Sequence, residues 1–362
     1  MNRTAGSEQE PTMLEARYRR LLRILPTAYR RQWEEEMVST FLASMATDDP
    51  EEAEYLAYCG RPGWSERASV VALSVRLRLG GVDAPPQAFL WGEAVRRVAL
   101  VVLLVNAVGA TVMVAQQAWL AGLVPWPAVP DHVVAAADGG RPLPLDVAEA
   151  TAWMGAYASL VLGRWRTARV LAALAFLPSI IGAATATVAL LAGADSTPWL
   201  TVAMRWIALA LMAVLLLGLA AFHEGVDRVP PRPWMLAFVV GLPATAVGQI
   251  GLLAAPALPG PLLVPSVVWS AWLLVVVALT WTGRGSTDVV GWTLTLAMLA
   301  VALLGMRVVS LLPQLLSSTG GAATHPFQLV DVVVLSTVAA VLVGRARREL
   351  RAPEDLAQIL HT

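Results

Sequence analysis

Eight apolar stretches run from about residue 98 to residue 343, and the arginines between them alternate from one side to the other. Each stretch has about the 17–25 residues that a helix needs to cross the hydrocarbon core of a bilayer. The pattern predicts an all-α, polytopic helical membrane protein of about eight transmembrane helices. The spans are expected near 98–120, 147–163, 169–192, 198–222, 233–255, 264–282, 288–312 and 327–343, the second being the shortest.

Arg96 and Arg97 precede the first span, Arg164, Arg166 and Arg169 fill the turn after the second, Arg228 and Arg232 follow the fourth, and Arg284 follows the sixth. Arg345, Arg347, Arg348 and Arg351 follow the eighth, which puts twelve arginines on one side, against Arg141 alone in the opposite loops. Positive loops stay cytoplasmic, so both termini are expected inside a cell membrane and the 121–146 loop outside. Trp119, Trp126, Trp165, Trp199, Trp234, Trp281 and Trp292 fall near span ends, where indole rings favour the interface. The prolines of the 121–146 loop suggest a stiff, irregular lid.

Charge divides the chain further. Only 14% of residues are charged and 57% are hydrophobic, yet residues 1–97 hold 27 of the 52 charges. The expected organisation is a disordered 1–12, a small cytoplasmic helical domain over 13–81, a linker over 82–97, the membrane domain over 98–343 and a cytoplasmic tail over 344–362. Zero net charge without a basic cluster argues against nucleic-acid binding. Every basic residue in the Lys+Arg count is arginine, so Walker A, Schiff-base and Ser–Lys chemistry have no lysine to work with. Any ATP site would belong to another subunit. Cys59 is the single cysteine, which excludes an internal disulfide, and the first 90 residues contain no apolar core of a cleavable secretory signal.

Within the N-terminal region, Leu14, Tyr18, Leu21, Leu22 and Leu25 recur at helical spacing, opposite Arg17, Arg19, Arg20 and Arg23. Pro26 ends that pattern and suits the first turn of a second helix, on which Tyr29, Trp33, Met37, Phe41 and Met45 lie four apart. The stripe Tyr29, Trp33, Met37 and Phe41 is the candidate partner-binding face, with Arg30–Glu34 and Arg31–Glu35 as i,i+4 pairs beside it. Asp48, Asp49 and Pro50 mark the start of a third helix, Ser65 is a candidate cap for a fourth, and Gly80–Gly81 is its expected end. So small a domain has a marginal core and is expected to lean on the membrane part, a partner or a second copy.

The stretch YRRLLRILPTAYRRQWEEEMVSTFLASM (Tyr18–Met45) resembles the N-terminal prefix carried by many actinobacterial integral membrane proteins and some transporter permeases. Arg76–Gly81, RLRLGG, is similar to the end of that prefix. The resemblance covers about a fifth of the chain. It implies a helical adaptor domain, with winged-helix regulators or transporter subunits as associates, and no catalytic residue.

Sites of chemistry are sparse. His132, His223, His325 and His361 are scattered, and His223–Glu224 lacks the second histidine of a zinc-protease helix. No metal site, cofactor or catalytic constellation is expected, and the chain is read as a non-enzyme. Three charges interrupt apolar spans: Arg205, Arg307 and Asp331, all about two turns from the external face. They form the candidate intramembrane cluster, in which Asp331 pairs with Arg307 and Arg205 lines the same cavity. Arginines snorkelling to the headgroups are the plainer alternative. Asn106 and Gln249 are expected to hydrogen-bond between helices. Pro178 and Pro243 sit nine residues after Arg169 and Trp234 and match ordinary helix kinks, although broken helices at matching places can line a transport site.

The expectation that follows is a non-enzymatic regulatory or scaffold membrane protein whose N-terminal helices bind a cytoplasmic regulator. The alternative is the permease-like membrane subunit of a transporter, served by an ATPase subunit.

Overall fold

A computed structural model of the chain describes residues 12–80, 86–124, 143–193, 199–222, 229–254, 289–316 and 325–351. All regular structure among them is helical: α1 (Met13–Leu22), α2 (Thr27–Ser44), α3 (Pro50–Cys59), α4 (Trp64–Arg78), α5 (Pro86–Leu120), α6 (Leu143–Val161), α7 (Trp165–Leu191), α8 (Trp199–Leu217) with a short 3₁₀ turn over Gly218–Ala221, α9 (Pro231–Ala254), α10 (Val289–Leu316) and α11 (His325–Arg351). The chain divides into two compact units, Met1–Glu93 and Ala94–Thr362. Residues 86–97, expected within a linker, are the opening turns of the 35-residue α5.

In the first unit α1 is the shared strut, packing on α2, α3 and α4. It buries Leu14, Tyr18 and Leu22, one residue per turn, as its periodicity requires. Val38 and Phe41 of α2 and Val70 and Leu77 of α4 complete the core. Asp49 caps α3 by accepting from the Glu51 amide at 3.0 Å, with Pro50 at the first helical position. The cap of α4 is Gly63 and not Ser65, because the Arg67 amide already bonds the Gly63 carbonyl and draws Trp64 and Ser65 into the first turn. Gly80 follows α4 at φ +82°, and an added Cβ there would run into the Phe89 backbone, so glycine is needed on both counts.

Charges in this unit pair across helices as well as along them. Glu35 accepts a two-pronged bond from Arg19 at 2.6 and 2.8 Å, in place of the expected local pair with Arg31. Arg30–Glu34 does form, at 3.8 Å. Arg19 also bridges Glu15, and its hydrogen bond holds the Glu35 carboxyl below the ordinary range. Deeper in, the Tyr18 hydroxyl donates to Glu66 at 2.9 Å. Burial, that hydrogen bond and the Glu66 charge together push the phenol well above its ordinary value.

The second unit contains the apolar helices. Among the described residues, four helices are long and apolar enough to cross a membrane: Ala88–Leu120, Trp165–Leu191, Trp199–Ala221 and Val290–Val309. They fall on the first, third, fourth and seventh expected spans. The second, fifth and eighth expected spans also lie on helices, while the sixth, 264–282, lies outside the described residues.

The apolar helices bury their surfaces very unequally. In α5 every residue from Val98 to Leu104 is buried, which marks the axial helix of the bundle. In α7 the buried residues are Ala168, Ala172, Ala175 and Ala183, while Val170, Leu174, Leu177, Ile181 and Val188 face outward. A water-soluble helix does the reverse. Small residues inside let backbones approach, and large aliphatic ones outside suit hydrocarbon.

Two hairpins organise the bundle. α6 and α7 turn on Gly163, at φ +78°, where the Arg164 amide reaches back to the Ser159 carbonyl at 2.7 Å and closes the helix end. α10 and α11 pack as an antiparallel pair, with Leu294 and Ala297 near the start of one against Ala346 near the end of the other.

Candidate functional site: a mixed-charge cavity in the helical bundle

Between α5, α6, α7, α8 and α10 lies a cavity of about 590 Å³. Its polar lining is Glu149 from α6, Arg205 from α8, Ser179 and Thr185 from α7, and Asn106 from α5. Glu149 and Arg205 each stand six residues into their helices, so both sit about 9 Å below the same end of the bundle. Asn106 lies deeper. Its amide donates to the Val102 carbonyl of its own helix at 2.8 Å and meets the Met212 sulfur of α8 at 3.8 Å. The remaining walls are apolar, with Trp153, Phe176, Leu209 and Met306.

Side-chain locks hold these walls in place. Next to Arg205, the Trp206 indole donates to Thr187 at 3.0 Å and fixes α8 to α7. At the other end of the same two helices, Arg169 donates to the carbonyls of Leu219 at 3.1–3.2 Å, Ala220 at 3.4 Å and Phe222 at 2.7 Å. These carbonyls close the end of α8, where partners from the helix itself run out and a cation is favoured. The Arg169 guanidinium also lies 4.4 Å from the centre of the Trp165 ring. The Tyr157 hydroxyl donates to the Trp234 carbonyl at 2.6 Å and ties α6 to α9. Arg97 is buried with its guanidinium 4.6 Å over Trp292.

The three charges of the candidate cluster take different positions. Arg205 lines the cavity, and Arg307 is buried on α10 one residue beyond the cavity-lining Met306. The Asp331 side chain lies outside the described residues. Helix lengths alter the expected levels. α10 continues to Leu316, so Arg307 is about 13 Å below its helix end, against about 9 Å for Asp331 below the start of α11.

Glu149 is the charge that the sequence reading missed. It stands at the third position of the shortest expected span, 147–163, and its six-residue distance from the helix start matches that of Arg205. Arg169 was read only as a marker of sidedness.

The stripe on α2 stays together. Phe41 is buried, its ring stacked on Tyr18 at 4.0 Å, and Tyr29 and Met37 are half-buried against the same core. Trp33 is half-buried beside Tyr29, with ring centres 6.3 Å apart. No group of three or more His, Cys, Asp or Glu side chains suited to a metal occurs among the described residues. His132, His223 and His361 lie outside them, as does the side chain of Gln249.

Comparison with protein-family models, with curated proteins and with solved structures finds no match to this chain.

Proposed function

We propose that the chain is a non-enzymatic regulatory or scaffold protein of the cell membrane, with eight spans and both termini cytoplasmic. Its N-terminal prefix-like unit binds a cytoplasmic partner, and its bundle anchors that unit and senses a ligand. The observation that carries this reading is an open, mixed-charge cleft between the apolar helices of a chain whose other unit is a separate, charged helical domain. The twelve-to-one arginine distribution supports the sidedness. Because Phe41 packs into its own core, the surface left for a partner is the half-exposed edge of Tyr29, Trp33 and Met37, with Tyr55, Tyr58 and Trp64. Trp64 is 84% exposed. Pairing of Asp331 with Arg307 stays part of the reading, as a support of the bundle beside the cavity.

The permease-like alternative has one observation in its favour. Pro178 lies within the continuous α7 between Phe176 and Ser179, two of the residues lining the cavity, and a proline-weakened helix at a ligand site is where transporter helices break. The two readings separate by co-purification of the full-length chain from its native membrane, together with flux measurements in liposomes. Regulation predicts a cytoplasmic protein that is retained by the wild type, lost with Trp64→Glu, and accompanied by no flux. An ATPase subunit with ATP-dependent flux would favour transport. Equal retention by the wild type and by a chain lacking residues 1–85 would remove the adaptor role.

A further inference from the structure

We propose that one end of the first unit docks on the anionic surface of the membrane. The docking end is where the α1–α2 turn, the last turn of α4 and the first turns of α5 meet. Arg23, Arg76 and Arg78 bind lipid phosphates there, while Ile24, Val75 and Phe89 enter the headgroup layer. This contact goes beyond the partner binding of the unit and rests on the membrane reading of α5.

Bonds and close approaches bring these residues to one end. The Ile24 carbonyl accepts from Ser74 at 2.9 Å and from Arg78 at 3.0 Å, which holds the α1–α2 turn against the end of α4. Leu79 and Gly80, just past α4, lie against Gly92 and Phe89 of α5. Ala88–Leu120 of that helix is long and apolar enough to cross a membrane. The first unit therefore meets its membrane helix at this end.

The chemistry of the end fits an anionic interface. Ile24 is 40% exposed, Val75 41% and Phe89 42%, although each is apolar. Arg23, Arg76 and Arg78 are exposed as well, and Arg23 and Arg76 make no ion pair among the described residues. The exposed acids Glu51, Glu52 and Glu54 lie elsewhere, on α3, whose end at Gly60 sits beside Leu14 and Arg17 in the first half of α1. Arginines among exposed apolar side chains suit a lipid interface, where guanidinium groups reach phosphate and apolar groups sink below it. An acidic protein helix would answer the arginines equally, but it would not account for their place at the root of a membrane helix. Trp64 and the α3 tyrosines are left to the cytoplasmic partner.

The test uses the full-length chain with Cys59→Ala and one reporter cysteine, reconstituted in lipid nanodiscs. A fluorophore is attached at Ile24→Cys or, as the control on α3, at Glu52→Cys. Discs contain phosphatidylcholine alone or mixed with phosphatidylglycerol, and each includes a lipid with a quencher on its headgroup. In discs with phosphatidylglycerol, quenching at position 24 is expected to exceed that at position 52 at least about 3-fold. Adding Arg23→Gln and Arg76→Gln should weaken docking by about 5-fold for each arginine removed. Arg23→Lys with Arg76→Lys keeps the charge and should keep the docking, which separates a lost lipid contact from a lost fold. Salt near 1 M, which screens charge beyond about 3 Å, should weaken docking as the glutamine variants do.

Equal quenching at positions 24 and 52, or quenching indifferent to both phosphatidylglycerol and the two arginines, would overturn the proposal. Shielding of position 24 that requires native membrane proteins and is missing in pure lipid would overturn it in favour of a protein occupant. A chain that does not enter the discs would overturn the membrane reading and the docking together. Partner capture is read separately through Trp64, so failure here leaves the adaptor role standing, and failure of capture leaves this result standing.

Discussion

Tyr18 has three neighbours that matter: the Phe41 ring stacked on it, the Glu66 carboxylate that accepts its hydrogen, and the apolar core of the first unit. All favour the neutral phenol. A folded-state value raised above the unfolded one makes the contribution fully present below about pH 10, the ordinary phenol value, and lost as pH rises toward the folded value. Hydrogen exchange over residues 13–78 of the full chain should therefore accelerate above about pH 10. Tyr18→Phe should flatten that dependence, and an unchanged profile would remove Tyr18 from it. Arg169 is the second residue with a definite expectation. Arg169→Gln takes the guanidinium donor from the carbonyls of Leu219 and Phe222, leaving Leu219 only the Phe222 amide, and should cost on the order of 1–3 kcal/mol, seen as a lower melting temperature in detergent. Arg166→Gln, on the neighbouring position, provides the comparison; an equal loss there would reduce the Arg169 cap to a general charge effect.

Helices in this chain are decided by local chemistry, but their packed faces are not. Asp49 and Pro50 place the start of α3 from sequence alone, since a cap needs only its own neighbours. The start of α4 could not be read the same way: Ser65 has the right chemistry, yet the chain enters the helix two residues earlier at Gly63. Gly92 shows a constraint of the same tertiary kind. A Cβ at that position of α5 would collide with the carbonyl of Leu79 at the end of α4, inside the first unit. Gly92→Ala should force the two helices apart and destabilise the unit by about 1–3 kcal/mol. Limited proteolysis would detect this as earlier cleavage between residues 78 and 86, and wild-type resistance in the variant would refute the close approach. Gly109→Ala, with nothing near its missing Cβ, is expected to be neutral or mildly stabilising and serves as the control.

At the scale of the whole molecule, the proposed topology makes a direct prediction. Reporter fusions at residue 135 and after the C-terminus should read outside and inside respectively, because that topology assigns the loops carrying twelve arginines to the cytoplasm. Matching signals at the two sites would require an odd number of crossings between them to be abandoned. Length and apolar content are summed along the chain, so the helices that could cross a bilayer were legible without any contact being known. Which face of each helix is covered was not legible, because α7 is apolar all round; only packing shows that alanines go inward and valine, leucine and isoleucine outward. The candidate site divides in the same way. Arg205 stood out in sequence because it interrupts an apolar run, whereas Glu149, near the start of its helix, gains meaning only by sharing a cavity with Arg205, 56 residues away. Phe41 likewise belonged to a visible stripe, but its stacking on Tyr18 depends on the angle at which α1 and α2 meet. Periodicity and hydropathy are properties of neighbours in the chain and determine helices; a cavity's charges come from residues distant in sequence, so packing alone brings them together.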